Sequence, residues 1–231
     1  MMATAVITAP RPRETLSLSL RSYRLAGFDN AIRIFADGPV STDTDALHIT
    51  RNDPPLGNLR NWHLALQTLE IETDADWLMV CEDDIEWVRG ACAALIGDLR
   101  SLEQSRVFQR AGALSLYLPR RHTKNLPMTL SPGWHGEGLQ RGIGAWGAQC
   151  LLFSRAQARA LLADTQFNQY LQSKMDKNVD AIVAKCINDC GREILYRVPC
   201  LVDHSLGEGN SSLGYKDDRP NLRTNYFTGQ P

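Results

Sequence analysis

Several features that would assign a protein quickly to a class are missing from this sequence. No hydrophobic run is long enough to cross a bilayer, since the longest uncharged apolar-rich stretch covers residues 142–154 and is interrupted by glycines. Net charge is almost absent as well, because 25 basic side chains stand against 26 acidic ones. We therefore expect no transmembrane segment, a soluble or peripheral protein, and no binding of nucleic acid through global charge.

Familiar cofactor and metal motifs are also missing. There is no G-x-G-x-x-G or G-x-x-x-x-G-K-[ST] run for phosphates, and none of the six cysteines forms a C-x-x-C pair typical of zinc sites. The cysteines lie in apolar surroundings, which predicts buried thiols in a reducing compartment, the cytoplasm. What remains is an ordinary globular composition, with 43% hydrophobic and 22% charged residues in 231.

Strand-like and helix-like segments alternate along the first half of the chain. This pattern predicts an α/β fold with a mostly parallel central sheet flanked by helices. Residues 117–145 are rich in Pro, Gly, His and Arg and are predicted to be a long loop, and the chain from residue 202 onward is predicted to be irregular. No linker divides the sequence, so we expect a single domain over residues 1–231. The predicted strands cover residues 3–8, 31–35, 47–49, 76–81, 111–116, 148–153 and 193–198.

The most informative segment is DWLMVCEDDIEW, in which an apolar strand runs directly into Glu82, Asp83 and Asp84. In parallel sheets, ligands bind beyond the carboxyl ends of the strands. Adjacent carboxylates repel each other unless they are solvated or neutralised by a cation. Mg²⁺ or Mn²⁺, bound by one or two carboxylates and by substrate phosphates, suits such a cluster. The structural alternative is a solvated acidic turn.

The order of segments resembles that of the GT-A-fold glycosyltransferases. A strand, a proline-containing loop and a helix are followed by a strand ending in Asp37-Gly38, a Gly57-Asn58-x-x-Asn61 helix, and the apolar strand before Glu82-Asp83-Asp84. That acidic triplet is similar to the DxD-type motif of the family. The resemblance implies a GT-A-like single domain, in which residues 1–116 form the nucleotide-sugar-binding half. Residues 117–231 would form the acceptor-binding half and a C-terminal lid or tail.

The same resemblance implies an activity and a donor site. The protein would move a sugar from a nucleotide-diphosphate donor, a UDP-sugar, to a hydroxyl acceptor with Mn²⁺ or Mg²⁺. Each donor-site residue also has a structural alternative, such as a rigid loop for Pro10, a turn for Asp37, a helix cap for Asn58 and a core anchor for Trp146. The implied nucleotide-sugar contacts are Thr8, Ala9, Pro10 and Arg11 at the base and ribose, Asp37 as a hydrogen-bond acceptor, Asn58 and Asn61 near the diphosphate, Asp83 at the ribose or sugar, and Trp146 stacked on the sugar.

The resemblance also implies metal ligands and a general base. Asp84 would bind the metal, and His204 would complete the metal site or contact the diphosphate. Asp176 or Asp180 would deprotonate the acceptor hydroxyl, and the sequence does not choose between them. Acidic residues are also favoured at a helix N-terminus for its dipole alone, and an isolated histidine is often structural.

The acceptor is left open between a polyanion and a glycan. Arg120 and Arg121 belong to a basic run that could contact a polyanion, for instance a hydroxymethylated base of bacteriophage-type DNA, which would have to be extruded from the duplex. A neutral or lipid-linked glycan would instead depend on the aromatic side chains of Trp134 and Trp146.

Two other functions fit the same residues. A metal-dependent nucleotidyltransferase also combines an α/β sheet with carboxylate-bound Mg²⁺, but the first loop here, APRPRE, contains no glycine. A non-catalytic module that binds sugar nucleotides is the third possibility. Products separate the enzymes, because glycosyl transfer releases UDP and nucleotidyl transfer releases pyrophosphate.

Overall fold

The computed structural model describes residues 1–10, 15–40, 48–118, 132–136, 148–173 and 178–204. Strands and helices alternate within these ranges, as the sequence predicts. The strands are β1 (Met2–Thr8), β2 (Ile32–Ala36), β3 (His48–Arg51), β4 (Trp77–Glu82), β5 (Ile85–Trp87), β6 (Ala111–Ser115), β7 (Gly133–His135), β8 (Cys150–Ser154), β9 (Glu193–Val198) and β10 (Val202–His204). The helices are α1 (Thr15–Leu25), α2 (Asn58–Glu72), α3 (Ala91–Glu103), α4 (Arg155–Leu162), α5 (Thr165–Gln172) and α6 (Val179–Asp189).

A central sheet of eight strands has the order β3-β2-β1-β4-β8-β6-β9-β7. Only β7 and β8 run against the direction of the other strands in this sheet. A separate two-stranded ribbon pairs β5 with β10. The predicted α/β fold with a mostly parallel central sheet flanked by helices is therefore confirmed.

Each face of the sheet buries its own layer of apolar side chains. Helices α1 and α3 and strand β5 pack on one face, where Tyr23, Phe28 and Trp87 form an aromatic cluster. Helices α2, α4, α5 and α6 pack on the other face, where Trp62 contacts Phe153 and Phe167 edge to face. Hydrophobic burial on both faces explains why β4 is apolar at every position before Glu82.

Local sequence signals set several of these elements. The apolar positions of α2 (Leu59, Trp62, Leu66, Leu69) and of α6 recur every three or four residues and are buried. Ser154 begins α4 with a capping box, in which its hydroxyl accepts from the Gln157 amide and the Gln157 side chain accepts from the Ser154 amide. No helix within the described ranges has the length and apolar character needed to span a membrane.

Some sequence expectations are wrong. Gly133–His135, inside the predicted loop over residues 117–145, is strand β7, and Val202–His204, at the start of the predicted irregular tail, is strand β10. The sequence also predicts a helix from Val88 to Leu102, but this helix begins only at Ala91, because Arg89 and Gly90 form a turn after β5 and Gly90 has a left-handed φ of 76°. The cysteines are free, but Cys190 is exposed and Cys92 is half-buried, so the prediction of uniformly buried thiols fails at these two positions.

Candidate active site

The acidic segment lies at the carboxyl end of β4, near the middle of the sheet. The chain runs from β1 to β2 and β3 on one side, and then crosses back to form β4 on the other side of β1. The strand order therefore reverses direction between β1 and β4, and open α/β sheets bind ligands at the carboxyl ends of the strands at such a point. Glu82, Asp83 and Asp84 occupy this position.

Asp83 is only 1% exposed, and its carboxylate connects three segments of the chain. Its Oδ2 accepts hydrogen bonds from the hydroxyls of Thr8 at 2.5 Å and Thr15 at 3.1 Å. Thr8 is the last residue of β1, and Thr15 is the first residue of α1. These contacts hold the end of β4 against the end of β1 and the start of α1. The contact of Asp83 with a ribose or sugar stays a prediction.

Asp84 and His204 are brought together by the β5–β10 ribbon. In this ribbon Ile85 lies opposite His204, and the imidazole Nε2 of His204 is 3.4 Å from the Asp84 Oδ2. The backbone N–H of His204 donates to the Oδ1 of the buried Asp203 at 2.9 Å, which fixes the end of β10. Two residues far apart in sequence thus present an oxygen and a nitrogen to the same space.

This donor set fits a divalent cation that shares its coordination with a ligand. A carboxylate oxygen and an imidazole nitrogen both coordinate Mn²⁺. In the described part of the chain, no group of three or more His, Cys, Asp or Glu side chains could hold a metal ion by itself. Sites that hold Mg²⁺ through one or two carboxylates usually complete the shell with water and substrate phosphates. Asp84 and His204 are therefore suited to a cation that arrives with a phosphate-bearing ligand.

Asp37 accepts hydrogen bonds from the loop that leads into α2. Its Oδ1 accepts from the Leu56 amide at 2.6 Å and from the Asn52 side chain at 3.3 Å, and its Oδ2 accepts from the Gly57 amide at 2.9 Å. Gly57 has a φ of 86°, in the left-handed region that favours glycine. Asp37 therefore shapes this loop, and its predicted contact with a nucleotide remains to be tested.

The two asparagines of the Gly-Asn-x-x-Asn segment lie in different environments. Asn58 is exposed and is the first residue of α2, whereas Gly57 occupies the N-cap, so the alternative of Asn58 as the cap is wrong. Asn61 is 2% exposed and connects the ends of β2 and β3. Its Nδ2 donates to the Phe35 carbonyl at 3.0 Å, and its Oδ1 accepts from the Asn52 side chain at 2.8 Å. Asn61 thus belongs to the Asp37 network.

Ala9 and Pro10 follow β1 and lie beside the end of β2. Pro10 is exposed, and a Cβ placed on Gly38 would come within 3.3 Å of the Pro10 ring. The segment after β1 therefore touches the turn that contains Asp37. The structure brings together the predicted contacts Thr8, Ala9, Pro10, Asp37 and Asp83 along adjacent strand ends.

Asp180 is a buried residue in the first turn of α6. Its Oδ1 accepts a hydrogen bond from the backbone amide of Ala148, just before β8, and its own amide donates to the Asn178 side chain at 3.0 Å. The start of β8 pairs with the end of β4, since the Glu82 amide donates to the Gln149 carbonyl at 2.9 Å. Asp180 therefore contacts the residue next to Gln149, and Gln149 in turn contacts Glu82 of the acidic segment.

One described residue among the predicted contacts, Trp134, lies away from this place. Trp134 lies on β7 at the edge of the sheet, and β8, β6 and β9 separate β7 from β4. The other predictions fall outside the described residues; they are the donor contacts Arg11 and Trp146, the alternative base Asp176, and the acceptor contacts Arg120 and Arg121.

Four residues at the site were not singled out by the sequence. Thr15, Asn52, Gln149 and Asp203 contact the predicted residues or their backbone. Thr15 does have a sequence signal, because a threonine at the start of a helix that follows the first loop is well placed to face a ligand site. The other three have no sequence signal, since their roles depend on which strands pair.

Comparisons with known proteins give likenesses of structure only. No protein-family model matches the sequence, and no curated protein matches it significantly. A galactosyltransferase, LgtC, solved with donor and acceptor sugar analogues, is similar over 86% of this chain and 73% of its own, with 11% identity and a TM-score of 0.48. The protein A197 from STIV is similar over 89% and 86%, with 8% identity and a TM-score of 0.46. A nucleotidyl transferase from Methanothermobacter thermautotrophicus is similar over 85% and 87%, with 14% identity and a TM-score of 0.46.

Proposed function

We propose that this protein is a metal-dependent glycosyltransferase that moves a sugar from a nucleotide-diphosphate donor, a UDP-sugar, to a hydroxyl acceptor. The observation that carries the proposal is the Asp84–His204 pair, with 3.4 Å between Oδ2 and Nε2, at the carboxyl end of a central strand. The pair lies where the strand order reverses, which is the usual ligand site of an open α/β sheet. The acceptor remains proposed as a glycan or a hydroxymethylated base of phage-type DNA.

The proposal assigns a task to each part of the site. Asp84 and His204 hold Mn²⁺ or Mg²⁺, and the bound cation neutralises the negative charge of the leaving diphosphate. The ends of β1 and β2, with Thr8, Ala9 and Pro10, lie along the nucleoside. Asp180 deprotonates the acceptor hydroxyl, with Asp176 as the alternative.

Binding of a nucleoside diphosphate in the presence of Mn²⁺ tests the proposal. Replacing Asp84 by asparagine keeps the size of the side chain but removes the charged ligand. Because changes even to the partners of metal ligands cost about 10–100-fold in metal affinity, we expect Asp84→Asn to lose at least as much in Mn²⁺-dependent UDP binding, measured by calorimetry. Donor hydrolysis and sugar transfer should be lost together.

The matched control is Glu72→Gln, an equally conservative change of an exposed carboxylate at the end of α2. It should bind UDP and Mn²⁺ like the unmodified protein. Full metal-dependent binding by the Asp84→Asn variant would contradict the proposed metal site. Release of pyrophosphate in place of UDP would instead identify the protein as a nucleotidyltransferase.

A further inference from the structure

Gln149 has a side-chain oxygen that is buried and has no hydrogen-bond partner among the described residues. A buried acceptor without a donor costs about 1–3 kcal/mol, and native proteins rarely leave one without a reason. At a ligand site, one reason is that the donor arrives with the ligand.

Two contacts fix the backbone around Gln149. Its carbonyl accepts from the Glu82 amide at 2.9 Å, so Gln149 lies across from the last residue of β4. The preceding residue, Ala148, donates its amide to the carboxylate of Asp180. Gln149 is thus held between the acidic segment and the first turn of α6, on backbone that is anchored on both sides.

Gln149 lies in the turn directly before β8. Its neighbours pack on opposite faces of the sheet, since Ala148 belongs to the α2 and α6 layer and Cys150 to the α1 and α3 layer. Cys150 is paired with Cys81 at the end of the β4–β8 register. Gln149 therefore lies beside the point where the chain leaves β4 and enters the acidic segment.

The charges on both sides restrict what the amide can bind. Glu82 lies opposite Gln149, and Asp180 holds the residue before it. A phosphate placed between two carboxylates would be repelled, whereas a neutral hydroxyl would be accepted and could donate to the amide oxygen. A sugar ring joined to a diphosphate at Asp84 would carry such hydroxyls toward the adjacent strand.

We infer that Gln149 is a specificity-determining residue whose side-chain amide binds a ring hydroxyl of the sugar carried by the nucleotide donor. The inference rests on the proposed function and adds to it the residue that distinguishes a nucleotide sugar from the nucleotide alone. A site whose buried polar group is left unpaired discriminates strongly against a ligand that lacks the matching hydroxyl.

The test compares Gln149→Met with the unmodified protein. Methionine keeps the length of the side chain and removes the amide. The ligands are UDP, GDP and dTDP, their hexose conjugates, and monodeoxyhexose analogues of the conjugate that binds best, each titrated with Mn²⁺ in a calorimeter. We expect Gln149→Met to weaken binding of the hexose conjugate about 10-fold and to leave binding of the nucleoside diphosphate unchanged. One deoxy analogue should lose the same factor with the unmodified protein and nothing further with the variant.

The control is Gln169→Met, the same change at an exposed position of α5; it should alter neither affinity. Equal weakening of the nucleotide and its hexose conjugate by Gln149→Met would show a purely structural role and overturn the inference. Unchanged donor binding combined with weaker acceptor binding would also overturn it. If Gln149→Met fails to fold, the deoxy analogues still decide, since the inference requires the unmodified protein to discriminate against one of them. Absence of binding to every nucleoside diphosphate would contradict the proposed function itself.

Discussion

Two threonine hydroxyls, those of Thr8 and Thr15, donate hydrogen bonds to the Asp83 carboxylate. Thr8→Val removes the 2.5 Å hydrogen bond to Asp83 Oδ2 while leaving a side chain of similar shape. Hydrogen bonds to buried charged groups contribute about 1.5–3 kcal/mol, so we expect the free energy of unfolding to fall by about that amount in urea titrations. Thr50→Val, at an exposed position of the edge strand β3, should change it by less than about 0.5 kcal/mol. Equal effects at both positions would contradict the anchoring role of Thr8.

Asp37 illustrates how far a residue type can be interpreted from sequence. An aspartate that ends a strand before a glycine looks the same whether it binds a ligand or its own chain. The structure gives it contacts with Asn52, Leu56 and Gly57, which lie in a loop after the next strand. The sequence predicts that Asp37 lies at a strand end, but the partner loop depends on the parallel pairing of β2 with β3.

At the scale of elements, Arg155 at the start of α4 connects that helix to the end of α2 and to the residues that follow α2. The Arg155 guanidinium donates to the carbonyls of Glu70 at 2.5 Å, Ala75 at 3.0 Å and Thr73. Arg155→Leu leaves these half-buried carbonyls without a donor. We therefore expect the free energy of unfolding, measured by urea titration, to fall by about 2–3 kcal/mol.

Arg159→Leu provides the matched control for this measurement. Arg159 also contacts Glu70, at 2.7 Å, but its side chain is 65% exposed and that of Arg155 only 21%. An exposed ion pair contributes about 0–1 kcal/mol, so the control should unfold almost like the unmodified protein in the same denaturant titration. A larger loss from Arg159→Leu than from Arg155→Leu would contradict the role assigned to Arg155.

The long elements were predictable from sequence, and the shortest ones were not. The apolar run before Glu82 and the periodic positions of α2 and α6 carry enough local information to predict a buried strand and two helices. Strands β5, β7 and β10 have only three residues each, and nothing in such a short segment indicates its partner. Half of the candidate metal site, His204, depends on the ribbon that two of these strands form.

At the scale of the whole molecule, the candidate site joins a wide sheet to a narrow ribbon. In the described part of the chain, β1 and β4 are paired on both sides, whereas β5 and β10 have each other as strand partners, and the Val202 amide of β10 also donates to the Leu116 carbonyl at 3.3 Å. Two-stranded ribbons are weak alone, so their amides should exchange with deuterium faster than those of β1 and β4.

Mn²⁺ with UDP should slow exchange in the ribbon and at the adjacent Val88 amide, which donates to the Leu201 carbonyl, because the cation would hold Asp84 and His204 together. Helix α4 serves as the internal control, because it begins beside Trp77, at the opposite end of β4 from the acidic segment. Exchange is followed by mass spectrometry, and equal slowing in α4 and in the ribbon would contradict a cation site on the ribbon.

The pairing of Ile85 with His204 spans about half of the chain. During synthesis on the ribosome, the acidic segment and the strands around it emerge long before the histidine that completes the pair. A nascent chain that has not yet reached β10 contains the acidic segment but lacks His204. The proposed cation site can therefore be completed only after β10 has been synthesised and has paired with β5, across a loop of more than a hundred residues.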